Sequence, residues 1–371
     1  MDGEFSGADV AVVGAGAIGC AVAWRLAREG LSVVLVERVY PGAETSSAAA
    51  GILAAQIEAE EDGAFFRFLW RSEQMYADFA GELRSASGME IGYRACGALK
   101  VALDEADLAP LAVPFAWQRA EGLPVERLNG PAIRELEPSL SPEIRGGLLF
   151  PSAAQVDAQR LTPALWTACR RAGCRLARGE ARRILARSGK VTGVEVAGRA
   201  LAASAVVVAS GSWSALVPGA GLPTGSVRPV RGQMIRFEGL PPVRRVVFGA
   251  GGYLVPRLDG HLLAGATMEE VGFDKSTTAE GVTRLGALAR RLCPPLAGMP
   301  VSSSWAGLRP ACPDGLPALG PLPAADGIFL AAGHLRNGIL LTPATAEVIA
   351  AMVLGRPYEL PPQMRAGRLV G

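Results

Sequence analysis

The stretch from Asp9 to Arg38 constrains this chain more than any other. It reads Asp9-Val-Ala-Val-Val-Gly14-Ala-Gly16-Ala-Ile-Gly19, then an apolar-faced segment, then Leu31-Ser-Val-Val-Leu-Val-Glu37-Arg38. Val10 to Val13 is an apolar, largely β-branched run, the pattern of a strand buried on both faces. Gly14, Gly16 and Gly19 follow at once in G-x-G-x-x-G spacing. Ile18, Val22 and Leu26 recur every four residues as one stripe of a helix that ends near Gly30. A second β-branched run ends in Glu37, 18 residues after Gly19.

Each part has a physical task. Gly14 permits a tight strand-to-helix turn, Gly16 lets backbone amides approach a pyrophosphate, and Gly19 lets the helix lie close on the strand. The helix start offers unpaired N–H groups to an anion, and Glu37 is placed to accept ribose hydroxyls. An ordinary βαβ turn would leave the three glycines and the acid unexplained together. The stretch therefore predicts a dinucleotide site.

At 371 residues the chain is long enough for two domains, and half of its residues are hydrophobic. Its net charge is +2, and basic pairs such as Arg170-Arg171 and Arg290-Arg291 are scattered without interleaved aromatics. Nucleic acid is not an expected partner. Six cysteines are irregularly spaced and only His261 and His334 accompany them, so no metal site is expected and reduced thiols in a cytoplasmic protein fit best. The acidic start, Met1 to Glu4, does not read as a signal peptide, and the uncharged run 200–227 is too broken for a membrane span.

Along the chain, the small-residue loop Gly42 to Leu53 is suited to close backbone passage past a flat, phosphate-bearing group, or equally to a capped alanine-rich helix start. Residues 64–83 are helical in period, with Phe65, Phe68, Leu69, Tyr76 and Phe79 read as core. Ser204 to Gly211 predicts a further parallel strand whose end touches the cofactor. From Arg228 the pattern becomes antiparallel. With Asp259-Gly260 as a two-residue loop, Tyr253 would face Ala266 and Gly251 would face Met268, putting Tyr253, Ala266 and Met268 on one pocket wall. Near the end, Thr342 is expected as N-cap with Pro343 at the first helical position. These segments predict an α/β chain, with a discontinuous Rossmann-type unit (1–88, 151–226 and 300–371) and a mainly antiparallel second unit (89–150 and 227–299).

Three features together resemble the D-amino-acid oxidase-like flavoproteins: the fingerprint with Glu37, the Thr45-Ser46-Ser47-Ala-Ala-Ala50-Gly51 loop, and Gly333-His334-Leu-Arg336-Asn-Gly-Ile-Leu-Leu341. Tyr253-Leu-Val-Pro-Arg257, Gly265-Ala-Thr-Met268 and Trp305-Ala-Gly-Leu-Arg309-Pro310 are most similar to the glycine-oxidising branch that serves thiamine biosynthesis. The likeness runs in register from about Asp9 to Val353. It implies non-covalent FAD contacted by Gly14, Gly16, Ala17, Ile18, Gly19, Glu37, Arg38, Thr45, Ser46, Ala50, Gly51 and Ile52. The loop His334, Leu335, Arg336, Asn337, Gly338, Ile339 and Leu340 would flank the isoalloxazine.

By the same resemblance Arg309 binds the substrate carboxylate, Tyr253 is the substrate-site tyrosine, beside which the hairpin's alternation sets Met268, and Arg336 is a second substrate-site arginine. Read from the residues alone, Arg309 and Arg336 could each serve a surface ion pair, Tyr253 could be half-buried sheet, and His334 could be a structural contact or a proton shuttle. The implied reaction is hydride transfer from Cα to flavin N5, imine hydrolysis to the oxo acid and ammonia, and reduction of O2 to H2O2. Negative charge on the flavin would meet the N–H groups at Leu341–Pro343. Cys312 does not match the cysteine of the covalent relatives. Gly251-Gly252 stands where the branch has bulkier residues including a histidine, which predicts a wider pocket, with Ile57 filling space opposite. The family also implies a homotetramer. A quinone-linked D-amino-acid dehydrogenase, a non-catalytic flavin subunit and an NAD-dependent dehydrogenase are the competing readings.

Overall fold

The computed structural model describes residues 7–59 and 61–370. The acidic start, Met1 to Glu4, lies outside them. Two eight-stranded sheets dominate. In the first, Ile328–Ala332, Arg199–Val208, Ala8–Val13, Val33–Glu37 and Arg175–Arg178 are parallel neighbours in that order, and Ala318–Pro321 adds an antiparallel edge.

Why the first strands read as continuous apolar runs is now physical. Val10, Val12, Val33 and Leu35 enter one core, under the helices Ala17–Arg28, Ala158–Arg171 and Thr342–Val353. Ala11, Val13, Val34 and Val36 enter another, on the opposite face. Side chains alternate across a strand, and both faces here are covered.

The second sheet runs Val301–Ala311, Arg228–Phe237, Leu262–Gly265, Gly252–Pro256, Val246–Gly249, Ala98–Ala102, Gly146–Phe150 and Glu126–Asn129. All neighbours are antiparallel except Val246–Gly249 with Ala98–Ala102. Helix Ala279–Leu292 packs Leu285, Ala289 and Leu292 on one face. The other face carries Met234, Phe248, Tyr253 and Trp305 and turns toward Ala50 and Ile57 of the first unit.

Two expectations need correction. Strand Val301–Ala311 belongs to the second sheet, paired along its length with Arg228–Phe237, although its position after residue 300 suggested the first unit. The hairpin register is shifted by one: Tyr253 pairs with Gly265, and the Arg257 amide donates to His261 O, leaving Leu258, Asp259 and Gly260 as a three-residue loop. Gly260 closes it at φ +84°, the left-handed residue that such loops require. No helix among the described residues is long and apolar enough to cross a membrane.

Candidate active site

Between the carboxyl ends of the first sheet and the open face of the second lies a cleft of about 1000 Å³. Gly14, Gly16, Ala17 and Ile18 form its lip, with Glu37 and Arg38 beside them. A Cβ on Gly14, at φ +103°, would fall 2.5 Å from Ala209 O, and one on Gly19 would fall 1.9 Å from Gly14 O. Helix and turn are thus in backbone contact. Gly19 itself does not line the cleft; its part in the fingerprint is packing, not cofactor contact.

The Glu37 carboxylate is fixed by the Ala15 and Val39 amides, each donating at 3.0 Å to a different oxygen. Each oxygen keeps a lone pair for a hydroxyl. Ala17 N–H donates to Ser46 Oγ at 2.9 Å, whereas Ile18 N–H has no protein acceptor among the described residues. Thr45, Ser46, Ala50, Gly51 and Ile52 line the adjoining wall. Arg257 holds that wall from behind, donating to Ala50 O at 2.7 Å and Val156 O at 2.6 Å.

His334, Leu335, Arg336, Asn337, Gly338, Ile339 and Leu340 form the far wall. His334 is 3% exposed, its Nε2 lies 3.1 Å from Thr345 Oγ1, and burial pulls its pKa down to about 4. It is neutral at neutral pH, which disfavours a proton shuttle. Helix Thr342–Val353 takes Leu341 rather than Thr342 as N-cap, because the Thr342 hydroxyl turns back to donate to Gly338 O.

The amides of Leu341 and Thr342 are engaged with Asn337 O and Ile339 O, and Pro343 has none. The expected donors at Leu341–Pro343 are therefore not free. In this loop the amides of Ile339 and Leu340, like those of Leu335, Arg336 and Gly338, have no acceptor among the described residues, and the Ile339 and Leu340 carbonyls accept from Tyr76 Oη and Ser72 Oγ at 2.7 Å each. With free amides at both ends, a fixed acid at one and room for an extended molecule, the cleft fits a dinucleotide.

At the substrate end, strand pairing sets Lys100, Phe248, Tyr253, Gly265, Met234 and Trp305 in one row across the sheet. The Tyr253 ring lies over Gly265, where a Cβ would fall 2.8 Å from the ring edge, and its centroid is 5.6 Å from that of Phe248. Desolvation raises the Tyr253 pKa against the opposing pull of Arg309. Ala266 and Met268, just past the strand end, line the same wall.

The Arg309 guanidinium donates to Thr267 O at 3.0 Å and lies 3.4 Å from Met268 Sδ. No carboxylate pairs with it among the described residues. Arg336 also lines the cleft, but Glu58 pairs with it. Gly252 does not widen the pocket: a Cβ there would strike Gly265 O and Leu288 on the core side. Gly251, at φ +80°, leaves open space at the hairpin tip. Cys312 is buried outside the cleft wall, its Sγ filling the place of a Gly333 side chain.

Trp213, Gly232, Met234 and Phe248 line the cleft and escaped the sequence reading. Gly232 had a signal, a glycine inside a strand pattern marking close approach. Trp213 follows the strand end already expected to meet the cofactor.

The FAD dependent oxidoreductase family model matches residues 9–352. The chain is 38% identical over 351 residues to glycine oxidase of Geobacillus kaustophilus, covering 93% of this chain and 92% of that protein. The crystal structure of glycine oxidase from Geobacillus kaustophilus superposes with a TM-score of 0.93 at 36% identity, over 98% of this chain and 99% of that one. The bifunctional protein ThiO/ThiG of Nostoc sp. is 37% identical over 354 residues, 93% of this chain. The chain spans about half the length (52%) of that relative. By fingerprint, cleft and these matches, the chain belongs to the FAD dependent oxidoreductase family.

Proposed function

We propose that this chain oxidises glycine, with sarcosine and small D-amino acids as secondary substrates, consuming O2 and water and giving the oxo acid, H2O2 and ammonia (methylamine from sarcosine). The observation that carries the reading is Arg309: a guanidinium in a cleft, beside a tyrosine, with no acidic partner among the described residues. Its planar fork matches a carboxylate bidentately, where lysine would be only a point charge. Similarity to glycine oxidases supports the amine.

FAD held in this cleft would supply two-electron redox chemistry, with oxygen as the final acceptor. The protein's share is placement. Arg309 fixes the carboxylate, and the Phe248, Tyr253 and Met234 surface packs the small α-carbon side. Tyr253 stays a neutral hydrogen-bonding phenol because burial disfavours its phenolate. Holding Cα in one orientation is a positioning effect, for which no general base is required if the amine arrives neutral. His334, neutral and directed to Thr345, is not available as one. The amides of Ile18, Ile339 and Leu340 offer donors to the pyrophosphate and to the anionic edge of the ring system.

A homotetrameric, cytoplasmic enzyme acting in thiazole formation for thiamine is part of the same proposal. Anaerobic titration with glycine, sarcosine and D-alanine tests it: glycine should bleach the flavin bands, and oxygen uptake should follow on admitting air. Indifference to all three amines overturns the substrate assignment. Reduction by amine without oxygen uptake indicates a dehydrogenase passing electrons to quinone.

A further inference from the structure

Residues 269–276 run from the second sheet, past Gly265, to the side of the cleft built by the first. Arg231, only 5% exposed in its side chain, anchors the segment by pairing with Glu269 and, at 2.6 Å, with Asp274. Beyond that anchor the segment touches the first unit twice. Phe273 meets the Trp213 ring at 5.3 Å between centroids, and Lys275 Nζ lies 2.8 Å from Glu44 Oε2. Glu44 also pairs with Arg38 at 2.9 Å, and the Arg38 guanidinium stands 4.2 Å over the Trp213 ring. Trp213, Arg38 and Glu44 line the cleft; Phe273 and Lys275 stand behind them.

We propose that Trp213 and Arg38 form a stacking shelf at the adenosine end of the FAD site, and that 269–276 is a strap locking this shelf from the second sheet. Glu37 marks that end as the ribose end. A tryptophan capped by a guanidinium presents a flat, polarised surface suited to an aromatic base. Phe273 is 44% exposed, an unusual placement for a phenylalanine unless the face against Trp213 has a task. Phe273 and Lys275 are positioning residues: they fix Trp213 and Glu44, and through them Arg38. Loosening Phe273 and Lys275 would free Trp213 and Glu44 to move and weaken the shelf's hold on the base, so the strap governs cofactor retention.

The test follows FAD release from the holoenzyme after dilution, by the rise of free-flavin fluorescence. It compares wild type with Phe273→Ala, Lys275→Ala, the double variant and Phe273→Trp. The double variant should release FAD about tenfold faster or more, with Phe273→Trp close to wild type. Melting of the apoprotein should be unchanged while the stabilisation by added FAD shrinks. Release within about twofold of wild type in the double variant, or an equal fall in the apo and FAD-saturated melting temperatures, overturns the proposal. No turnover is measured, so the result stands whichever amine the enzyme oxidises.

Discussion

The guanidinium of Arg309 occupies the space a side chain on Gly232 would take: a Cβ at Gly232 would fall 2.2 Å from Nη1. The two residues lie on neighbouring strands, Arg228–Phe237 and Val301–Ala311, and the missing side chain lets the arginine lie down across the sheet to reach Thr267 O. Because the clash is with the far end of a flexible side chain, Gly232→Ala should fold normally yet push Arg309 aside. We expect KM for glycine to rise about 10- to 100-fold in both Gly232→Ala and Arg309→Ala, the range of one charge-assisted contact. Flavin absorbance should persist in both. Wild-type kinetics in Gly232→Ala would show that this placement of Arg309 is not the one used with substrate.

Arg336 makes a contrasting case. Its pairing with Glu58 gives it an anion before any substrate arrives, and its side chain is 52% exposed. Such a pair adds about 0–1 kcal/mol to stability. Arg336→Ala should therefore raise KM by less than about tenfold, well short of Arg309→Ala. Glu58→Gln should release a second cation into the cleft and lower KM. Equal losses from the two arginine variants, read from steady-state kinetics, would return Arg336 to equal rank in carboxylate binding.

The Asp9–Glu37 unit was legible because its signals are local: alternate residues enter two cores, and Gly19 meets the Gly14 carbonyl within the same turn. Tyr253, Met268 and Arg309 were legible as members of short motifs. What failed depended on partners far along the chain. The hairpin slipped by one because Asp259-Gly260 serves a two- or a three-residue loop equally well, and only the ladder decides. The helix-start amides are not free because those of Leu341 and Thr342 turn back onto Asn337 O and Ile339 O, in a turn that hydroxyls 263 and 268 positions earlier hold by the Ile339 and Leu340 carbonyls. Gly232 gains its meaning only once Arg309 lies over it.

Those two hydroxyls lead to a third expectation. Tyr76 is fully buried and its Oη donates to Ile339 O, while Ser72 Oγ donates to Leu340 O. Tyr76→Phe removes one of the two donors to the Ile339 carbonyl, leaving only Thr342 N–H at 3.1 Å, a loss of about 0.5–1.5 kcal/mol. The loop that presents the Ile339 and Leu340 amides should loosen with it. Thermal melting should fall and FAD affinity should weaken in Tyr76→Phe, and further in the double variant with Ser72→Ala. A variant that melts lower but binds FAD as tightly as wild type would separate fold stability from cofactor binding at this loop.

Beneath the cleft wall a buried acid sets a pH dependence. Glu73 is 6% exposed, accepts a hydrogen bond from Ala55 N–H and lies 3.4 Å from Ser152 Oγ. Burial raises its pKa from 4.5 to about 7, the two hydrogen bonds opposing the shift only in part. The folded protein therefore binds this proton more tightly than the unfolded chain does. Between about pH 4.5 and pH 7 the unfolded carboxyl is ionised while the folded one is still largely protonated, so this group's contribution to stability is full below that window and is lost as pH rises through it. The loss is on the order of 3 kcal/mol when complete. Glu73→Gln keeps an acceptor for Ala55 N–H and removes the titration. Relative to wild type it should gain stability from pH 5 to about pH 7 and level off above, read as a difference in melting temperature that widens and then holds. A difference that stays flat, or narrows, would mean that Glu73 is ionised in the folded protein across the whole range and that the Ala55 and Ser152 donors outweigh its desolvation.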